Sequence, residues 1–460
     1  ARQRLDTSTG SNLEAPMSAD APGAKPSQTT RERPFYFIVV LWGERFRKYF
    51  LDFALASALS PGNIPALQAS RGSKFLIVTR PDDWDAIRGT ATFRLLERYV
   101  EPVFIEIPPC PPDRSPYVHM SVGHRLACEK AYRDQAYTVI LTPDCMLSDG
   151  SVARLQALAG DGTQLVLTAA LRFGEEPFLA NLQKLGVLPA VTRRDSATPL
   201  VITGAQMVYA AVNGFHTETL AYEWDAPGIT AISPAAWWRV PGEDGVVLHS
   251  LSWAALLLDY GAVGDHDTST FDQWTLDGDY LYNNTKSMNR VHVVQDSDEL
   301  FLSSWGPLAE HAISKTRFPF ERYLAGHFFR KSFYSGFFDP LKRRLFFLPV
   351  RWHSRPLNDK WNAVERQAMH KLSRWVTPPD VAHRYTTVAP MSFPQRMASA
   401  LKTLPLSILQ ISAYAWIFRV QIGQQATRII RGDREATKRI AWFVRTLVFG
   451  KRERPQSPDK

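Results

Sequence analysis

Residues 138–149 read TVILTPDCMLSD and are the most informative stretch of this sequence. Residues 138–141 form a strand-like apolar run that stops at Pro143, and Asp144 and Asp149 lie in the loop that follows. In an open α/β sheet, ligands bind just beyond the carboxyl ends of the strands, so carboxylates at this place are positioned for chemistry. The alternative is that these residues only make a turn before the next helix.

On both sides of this stretch, apolar runs of strand length alternate with segments of helical period. The expected strands cover residues 35–42, 74–79, 103–107, 138–141 and 164–171. The expected helices between them cover residues 44–59, 82–99, 118–134 and 151–160. Because such alternation produces parallel strands with helices on both faces, we predict an α/β fold with about five strands before residue 175.

The periodicity weakens after residue 175. Residues 245–260 are expected to be a strand pair or a strand that leads into a helix, residues 292–297 another strand, and residues 358–376 a helix. We predict four parts of the chain: a disordered tail at 1–33, a catalytic domain at 34–310, an aromatic and basic helical subdomain at 311–390, and basic amphipathic helices at 391–460.

The composition is that of a globular protein with charged tails. The chain has 460 residues, 45% of them hydrophobic, which is enough for two or three domains. Three cysteines are too few for a disulfide framework and favour a reducing cytoplasm, and residues 1–33 contain no apolar run of signal-peptide type. The net charge of +9 lies in residues 391–460, where 13 Lys and Arg face 4 Asp and Glu.

Several enzyme classes lose their support because their motifs are missing. No strand is followed by the glycine-rich dinucleotide fingerprint or by the phosphate-binding loop, and the serine nucleophile elbow is absent. Redox, ATPase and α/β-hydrolase chemistry are therefore disfavoured.

Carboxylates occur in three close pairs: Asp144 with Asp149, Asp277 with Asp279, and Asp296 with Asp298. A nucleotide-sugar transferase often stabilises its leaving diphosphate with a divalent metal held by one or two carboxylates. The alternative for the second pair is that Asp277 and Gly278 only form a turn. The alternative for the third pair is that, together with Glu299, it forms a carboxylate cluster at the amino terminus of a helix, where it interacts favourably with the helix dipole.

At residues 34–171 the chain resembles the glycosyltransferases of the GT-A fold, of the family-2 type. The opening strand FYFIVVLW, the helix before the fourth strand, and VILTPDCMLSDGS at the place of the family's Asp-x-Asp carry this resemblance. It implies a Rossmann-like sheet, a nucleotide-sugar donor and Mn²⁺ or Mg²⁺, with Asp144 as the first aspartate of the motif. Met146 stands in place of the second, so Asp149 takes over, the metal is held differently, or the chain is a metal-independent or inactive relative.

The resemblance also implies donor-binding residues after the first strands. Trp42, Gly43 and Glu44 lie where such a protein contacts the base and ribose; the alternative is that Trp42 packs and Glu44 caps the next helix. Arg80 and Arg172 each follow an expected strand and could pair with a phosphate or with a neighbouring acid.

Catalytic and metal-binding candidates come from the remaining polar residues. In an inverting transferase a carboxylate near the acceptor hydroxyl serves as general base, and Asp277 or Asp279 is the candidate. The candidate metal ligands are Asp144, Asp149 and His249. A lone histidine in an apolar run is, however, more often a packed core residue.

Residues 404–454 combine apolar runs with excess positive charge. The apolar run at 404–418 is shorter than the roughly 20 residues that cross a bilayer. With Trp416 and Trp442 it is typical of an interfacial helix on an anionic membrane surface, or of a helix pair packed on the domain or on another subunit. Nucleic acid is a poorer partner, because the rest of the chain is neutral and has no recognition motif.

The sequence therefore predicts a glycosyltransferase that moves a sugar from a nucleotide-sugar donor to a glycan or lipid-linked acceptor. It is expected to be cytoplasmic and peripherally associated with the inner face of the membrane. The rival hypothesis, which Met146 favours, is a non-catalytic, membrane-docked module that binds a carbohydrate or a protein with a degenerate transferase core.

Overall fold

A computed structural model of the protein describes most of residues 33–377. The described residues are 33–68, 72–112, 114–188, 197–230, 233–272, 275–276, 279–285, 288–310, 315–317, 320–334, 340–377 and Pro405, Ile408, Leu409, Ser412, Thr437 and Ala441. Of the predicted tail at 1–33, only Arg33 is described. Asp277 lies outside the described residues, and so do all but six residues of the basic segment at 404–454.

The described strands are, in chain order, β1 (Phe35–Val40), β2 (Lys74–Thr79), β3 (Glu101–Glu106), β4 (Tyr137–Ile140), β5 (Cys145–Leu147), β6 (Leu165–Ala169), β7 (Arg172–Gly174), β8 (Ala235–Arg239), β9 (Gly245–Ser250), β10 (Trp253–Asp259), β11 (Val291–Val293), β12 (Leu302–Gly306) and β13 (Val350–His353).

The described helices are α1 (Glu44–Tyr49), which continues through a π-helical turn (Phe50–Ala54) into α2 (Leu55–Ala58), then α3 (Pro81–Arg88), α4 (Ala91–Leu96), α5 (Pro116–Arg133), α6 (Ser151–Gly160), α7 (Glu175–Lys184), α8 (Gly204–Val212), α9 (Thr217–Leu220), α10 (Asp279–Asn284), α11 (Glu321–Tyr334), α12 (Pro340–Leu345) and α13 (Asp359–Ser373). Short 3₁₀ turns lie at Ile64–Ala66, Tyr260–Ala262, Ser269–Asp272 and Met288–Arg290. Within this part of the chain, none of the helices has both the length and the apolar character needed to cross a membrane.

The central sheet has the strand order β11-β6-β10-β4-β1-β2-β3. Neighbouring strands are parallel except on both sides of β10, which runs antiparallel to β4 and to β6. The first four strands lie in the order 3-2-1-4, as in one half of a Rossmann sheet. The predicted α/β class is therefore confirmed, and the mostly parallel sheet is compatible with a Rossmann-like fold. Five of the seven described strands before residue 175 lie in this sheet, whereas β5 and β7 were not predicted as separate strands and lie in another sheet.

The first strand shows why the sheet is buried on both faces. All six residues of β1 are buried, as expected for a central strand with helices on each side. Because side chains alternate along a strand, Phe35, Phe37 and Val39 enter one hydrophobic core, and Tyr36, Ile38 and Val40 enter the other.

Two further sheets of three strands complete the described fold. In the sheet β5-β12-β7, the strand β12 is antiparallel to β5 and parallel to β7. In the sheet β13-β9-β8, both pairs are antiparallel. Residues 245–260 are thus a strand pair, one of the two predicted alternatives, but its strands belong to different sheets. The predicted helix near 358–376 is confirmed as α13, and β13, just before it, pairs with β9.

The close approach of α5 to the sheet depends on Gly123. A Cβ atom at this position would lie 2.5 Å from Cγ1 of Val40 and 3.1 Å from Cγ1 of Val78. We therefore expect Gly123→Ala to destabilise the protein by about 1–3 kcal/mol through overpacking, although alanine favours helix formation.

Gly160→Ala is the matched control, because Gly160 also lies in a helix and a Cβ there meets no atom within 4 Å. Denaturant unfolding of both variants measures the difference. Equal stability of the two variants would contradict the tight α5–sheet contact.

Candidate active site

The loop after β1 is fixed to the helix that follows β2. Gly43 has a φ of 84°, in the left-handed region that residues other than glycine rarely adopt. Its N–H donates to one carboxylate oxygen of Asp83 at 2.8 Å, and Arg47 donates to the other at 2.7 Å. Glu44, the first residue of α1, is exposed. The turn that carries Trp42, Gly43 and Glu44 is therefore anchored through Asp83.

Three flat side chains meet beyond the ends of β1 and β2. The half-buried Trp42 ring lies edge-on to His119, with 5.7 Å between ring centroids. The guanidinium of Arg80, an exposed residue, lies 6.0 Å from the Trp42 centroid. His119 is held because its Nε2 donates to the carbonyl of Pro108 at 2.7 Å. The structure brings Trp42 and Arg80, two of the predicted donor-binding residues, close together, whereas His119 was not among the predicted residues.

Asp144 lies four residues after the end of β4 and immediately before β5. Its backbone carbonyl accepts from the N–H of Trp305 at 3.3 Å. The surrounding protein removes water from its carboxyl group, which raises the pKa of Asp144; a hydrogen bond from Thr142 and the charges of Arg172 and Arg45 oppose that rise. Asp144 is therefore a half-buried acid that lies in the field of two guanidinium groups.

Arg172 is aligned with Asp144 by the strand between them. Ser304 of β12 pairs with Cys145 on one side and with Arg172 on the other. The carbonyl of Arg172 accepts from the hydroxyl of Thr219 at 2.6 Å, which fixes the backbone where the side chain starts. The start of β7 thus lies level with the residue next to Asp144.

Arg45 extends this group of charges. It donates to Glu310 at 2.6 Å and to the hydroxyl of Tyr49 at 3.1 Å, and it lies 3.8 Å from Glu175. The hydroxyl of Tyr49 donates to Glu175, and burial together with this carboxylate raises the pKa of Tyr49 to about 12. Sequence reasoning missed these residues, although Glu175 immediately follows the end of β7.

Asp149 lies at the other end of β5. The three extended residues of β5 span roughly 10 Å between it and Asp144. Its carboxylate accepts from the N–H of Gly62 at 2.7 Å, and its own N–H donates to the carbonyl of Ile202 at 2.8 Å. The structure therefore places Asp149 in a loop contact, and it does not bring Asp149 and Asp144 together.

Asp279 is the first residue of α10 and is half-buried, while Asp277 lies outside the described residues. The preceding Thr275 lies 3.4 Å from the hydroxyl of Tyr117, in the first turn of α5. Thr275 therefore lies beside the first turn of α5, the turn that also carries His119.

His249 lies in β9, in a different sheet from Asp144. It is fully buried, and its Nδ1 donates to the carbonyl of Phe346 at 2.9 Å. Burial lowers the pKa of His249 to about 4, so the ring is neutral at pH 7. The structure does not bring this side chain together with the other predicted metal ligands.

A different group of side chains has the spacing of a metal site. Ligand atoms of Asp296, Asp298 and His353 all lie within 4.8 Å of one another, and this is the only such trio in the part of the chain that the structure describes. These three residues could hold a metal ion. The sequence identified the two aspartates as a carboxylate pair. It did not indicate that His353, more than 50 residues later, would lie next to them.

Comparison with known proteins adds little to this description. No family model and no curated protein matches the chain. Solved structures overlap it in part: a protein assigned as a glucose-1-phosphate thymidylyltransferase from Bacillus anthracis, TarS from S. aureus, and a 4-diphosphocytidyl-2C-methyl-D-erythritol synthase from Anaerococcus prevotii.

These three overlaps are distant. The identities are 12%, 8% and 10%, the TM-scores 0.21, 0.21 and 0.20, and the shares of this chain 31%, 39% and 36%. The chain spans 57%, 34% and 83% of those proteins. Likeness at this level carries no argument, so the fold assignment rests on the strand order.

The buried, neutral state of His249 leads to a pH prediction. The unfolded chain binds a proton at this residue below about pH 6.5, whereas the folded protein does so only near pH 4. Stability should therefore fall as the pH drops through this window, with His249 contributing up to about 3 kcal/mol. Denaturant unfolding between pH 7.5 and 5 should show a weaker pH dependence for His249→Leu.

Val247→Ala serves as the control, because Val247 is also fully buried in β9 but has no titratable side chain. It should lower the stability without changing the slope of stability against pH. If His249→Leu also left the slope unchanged, His249 would not be a buried neutral ring.

Proposed function

We propose that the chain is a glycosyltransferase with a GT-A-like donor site, which takes a sugar from a nucleotide-sugar donor. The observation that carries this proposal is the register of β5, β12 and β7, which places Arg172 level with Cys145, the residue next to Asp144, although 28 residues separate Arg172 from Asp144 in the sequence. The charge of Arg172 also acts on the Asp144 carboxyl group. This edge of the sheet is where α/β folds bind ligands. A carboxylate and a guanidinium cation near this edge suit a donor that has both hydroxyl and phosphate groups.

The proposed donor lies across the ends of β1, β2 and β4. Trp42 offers a ring face for the base, and Glu44 accepts from a ribose hydroxyl. Arg80 and Arg172 bind the diphosphate, whose charge grows as the bond to the sugar breaks. Asp144 accepts hydrogen bonds from hydroxyl groups of the donor.

In the proposed reaction the oxygen of an acceptor hydroxyl attacks the anomeric carbon. The bond from that carbon to the diphosphate breaks, the diphosphate takes the electron pair, and the hydroxyl proton passes to a carboxylate. Asp279, or Asp277, is the proposed base. The support is that Asp279 begins α10 and that Thr275, four residues before it, lies beside Tyr117 in the first turn of α5. This assignment makes the enzyme inverting.

The residues around Asp144 do not favour a divalent metal. Asp144 offers one carboxylate, and the charges of Arg172 and Arg45 act on it. A cation there would gain a single ligand and meet two like charges nearby. The proposed reaction therefore uses no metal at Asp144. The arginines supply the positive charge that stabilises the leaving diphosphate.

The proposed acceptor is a glycan or a lipid-linked sugar at the cytoplasmic face of a membrane. The support is the excess of positive charge in residues 391–460, 13 Lys and Arg against 4 Asp and Glu, interleaved with apolar runs. Such a segment binds anionic lipid, with about 1 kcal/mol for each basic residue near the surface.

A thermal-shift panel of nucleoside diphosphates and nucleotide sugars, without added metal, tests the donor site. One base should raise the melting temperature of the wild-type protein, because a ligand of the folded state stabilises it. Asp144→Asn and Arg172→Gln should lose this shift while their own melting temperatures stay close to wild type. Asp161→Asn, an exposed carboxylate at the end of α6, should keep it.

Release of nucleoside diphosphate from the donor that binds then tests catalysis. Arg172→Gln should slow the release by about 10² to 10³, the usual effect of removing one group that stabilises charge in the transition state. Binding without release in the presence of any acceptor tried would favour the non-catalytic module. The absence of any thermal shift would overturn the donor site itself.

A further inference from the structure

We propose that Asp296, Asp298 and His353 bind one transition-metal ion, such as Zn²⁺, and that this ion ties the central sheet to the sheet β13-β9-β8. Asp296 and Asp298 follow β11, the edge strand of the central sheet, and His353 ends β13. The proposal is independent of the proposed function, because it involves none of the donor-site residues.

The His353 ring is oriented as a metal ligand should be. Its Nδ1 lies 2.7 Å from the carbonyl oxygen of Arg355, so this nitrogen carries the proton and donates. Its Nε2 lies 2.8 Å from Oδ1 of Asp296 and 3.8 Å from Oδ2 of Asp298. A backbone carbonyl that fixes the tautomer and leaves the other nitrogen for the ion is the usual outer-shell arrangement of metal-binding histidines.

The charges around the site also favour a divalent ion. Two carboxylates share one imidazole, so the group is net negative even when the ring is protonated. The nearby Arg351 donates to Glu365 and Asn362, and its charge also acts on Asp296. A divalent ion that displaces the proton from Nε2 would bring the three ligands and the ion to neutrality.

The backbone holds the two aspartates against β13. The N–H of Ser297 donates to the carbonyl of Arg351 at 3.0 Å, and the N–H of His353 donates to the hydroxyl of Ser297 at 3.0 Å. The N–H of Asp298 donates to Asp296 at 2.9 Å, which fixes the turn between the two carboxylates. The three ligands are therefore positioned before an ion binds.

The exposure of the ligands leaves room for an ion to enter. The side chain of His353 is 3% exposed, that of Asp296 38% and that of Asp298 70%. The ion can approach from the carboxylate side and keep water in its remaining positions. Imidazole together with carboxylate suits a first-row transition ion better than Mg²⁺ or Ca²⁺, which prefer oxygen ligands alone.

Titration calorimetry of the full chain, first stripped with chelator, tests the site without any nucleotide. Zn²⁺ should bind with one high-affinity site per chain and raise the melting temperature, whereas Mg²⁺ at the same concentration should not. Asp298→Asn, a change at an exposed side chain, should weaken Zn²⁺ binding at least about tenfold. His353→Gln should abolish it, and Asp161→Asn should bind as the wild type does.

Two results would overturn the proposal: no saturable Zn²⁺ site in the wild-type protein, or a site whose affinity is the same in Asp298→Asn. Because His353→Gln removes a buried ring, its circular dichroism must match that of the wild type before its binding is interpreted. If this variant fails to fold, Asp298→Asn alone decides the question.

Discussion

The candidate active site depends on the pairing of β12 with two strands that are distant in sequence. β12 lies between β5, which begins just after Asp144, and β7, which begins with Arg172. Its residue Ser304 pairs with both strands, and the N–H of Trp305 binds the carbonyl of Asp144. Without β12 the acid and the guanidinium would sit on separate loops, free to move apart.

The reversed strand β10 contributes to the same geometry. It hydrogen-bonds to β4 on one side and to β6 on the other, so it joins the 3-2-1-4 half of the sheet to β6 and β11. The segments after β4 and β6 then lie two strands apart, roughly 10 Å, within reach of one ligand. The site that results is built around arginines, and the trio with the spacing of a metal site lies beyond β11.

The sequence predicted the strands and helices whose formation depends on short, contiguous stretches of residues. Strands β1 to β4 and β6 were predicted because each is a short apolar run that alternates with a segment of helical period. Asp144 and Arg172 were singled out because each follows one of these strands. The pairing of Ser304 with Cys145 and of Trp253 with Ala169 links residues far apart in the chain, so no local period encodes it. Arg45 and His119 were missed for a related reason: each lies in a helix, and only the fold brings it to the site.

The most direct measurement is a crystal structure of the protein with the nucleoside diphosphate that stabilises it most. We expect the diphosphate to lie within hydrogen-bond distance of Arg172 beyond the end of β4, with the base against Trp42. A nucleotide bound elsewhere, or a diphosphate that does not contact Arg172, would contradict it.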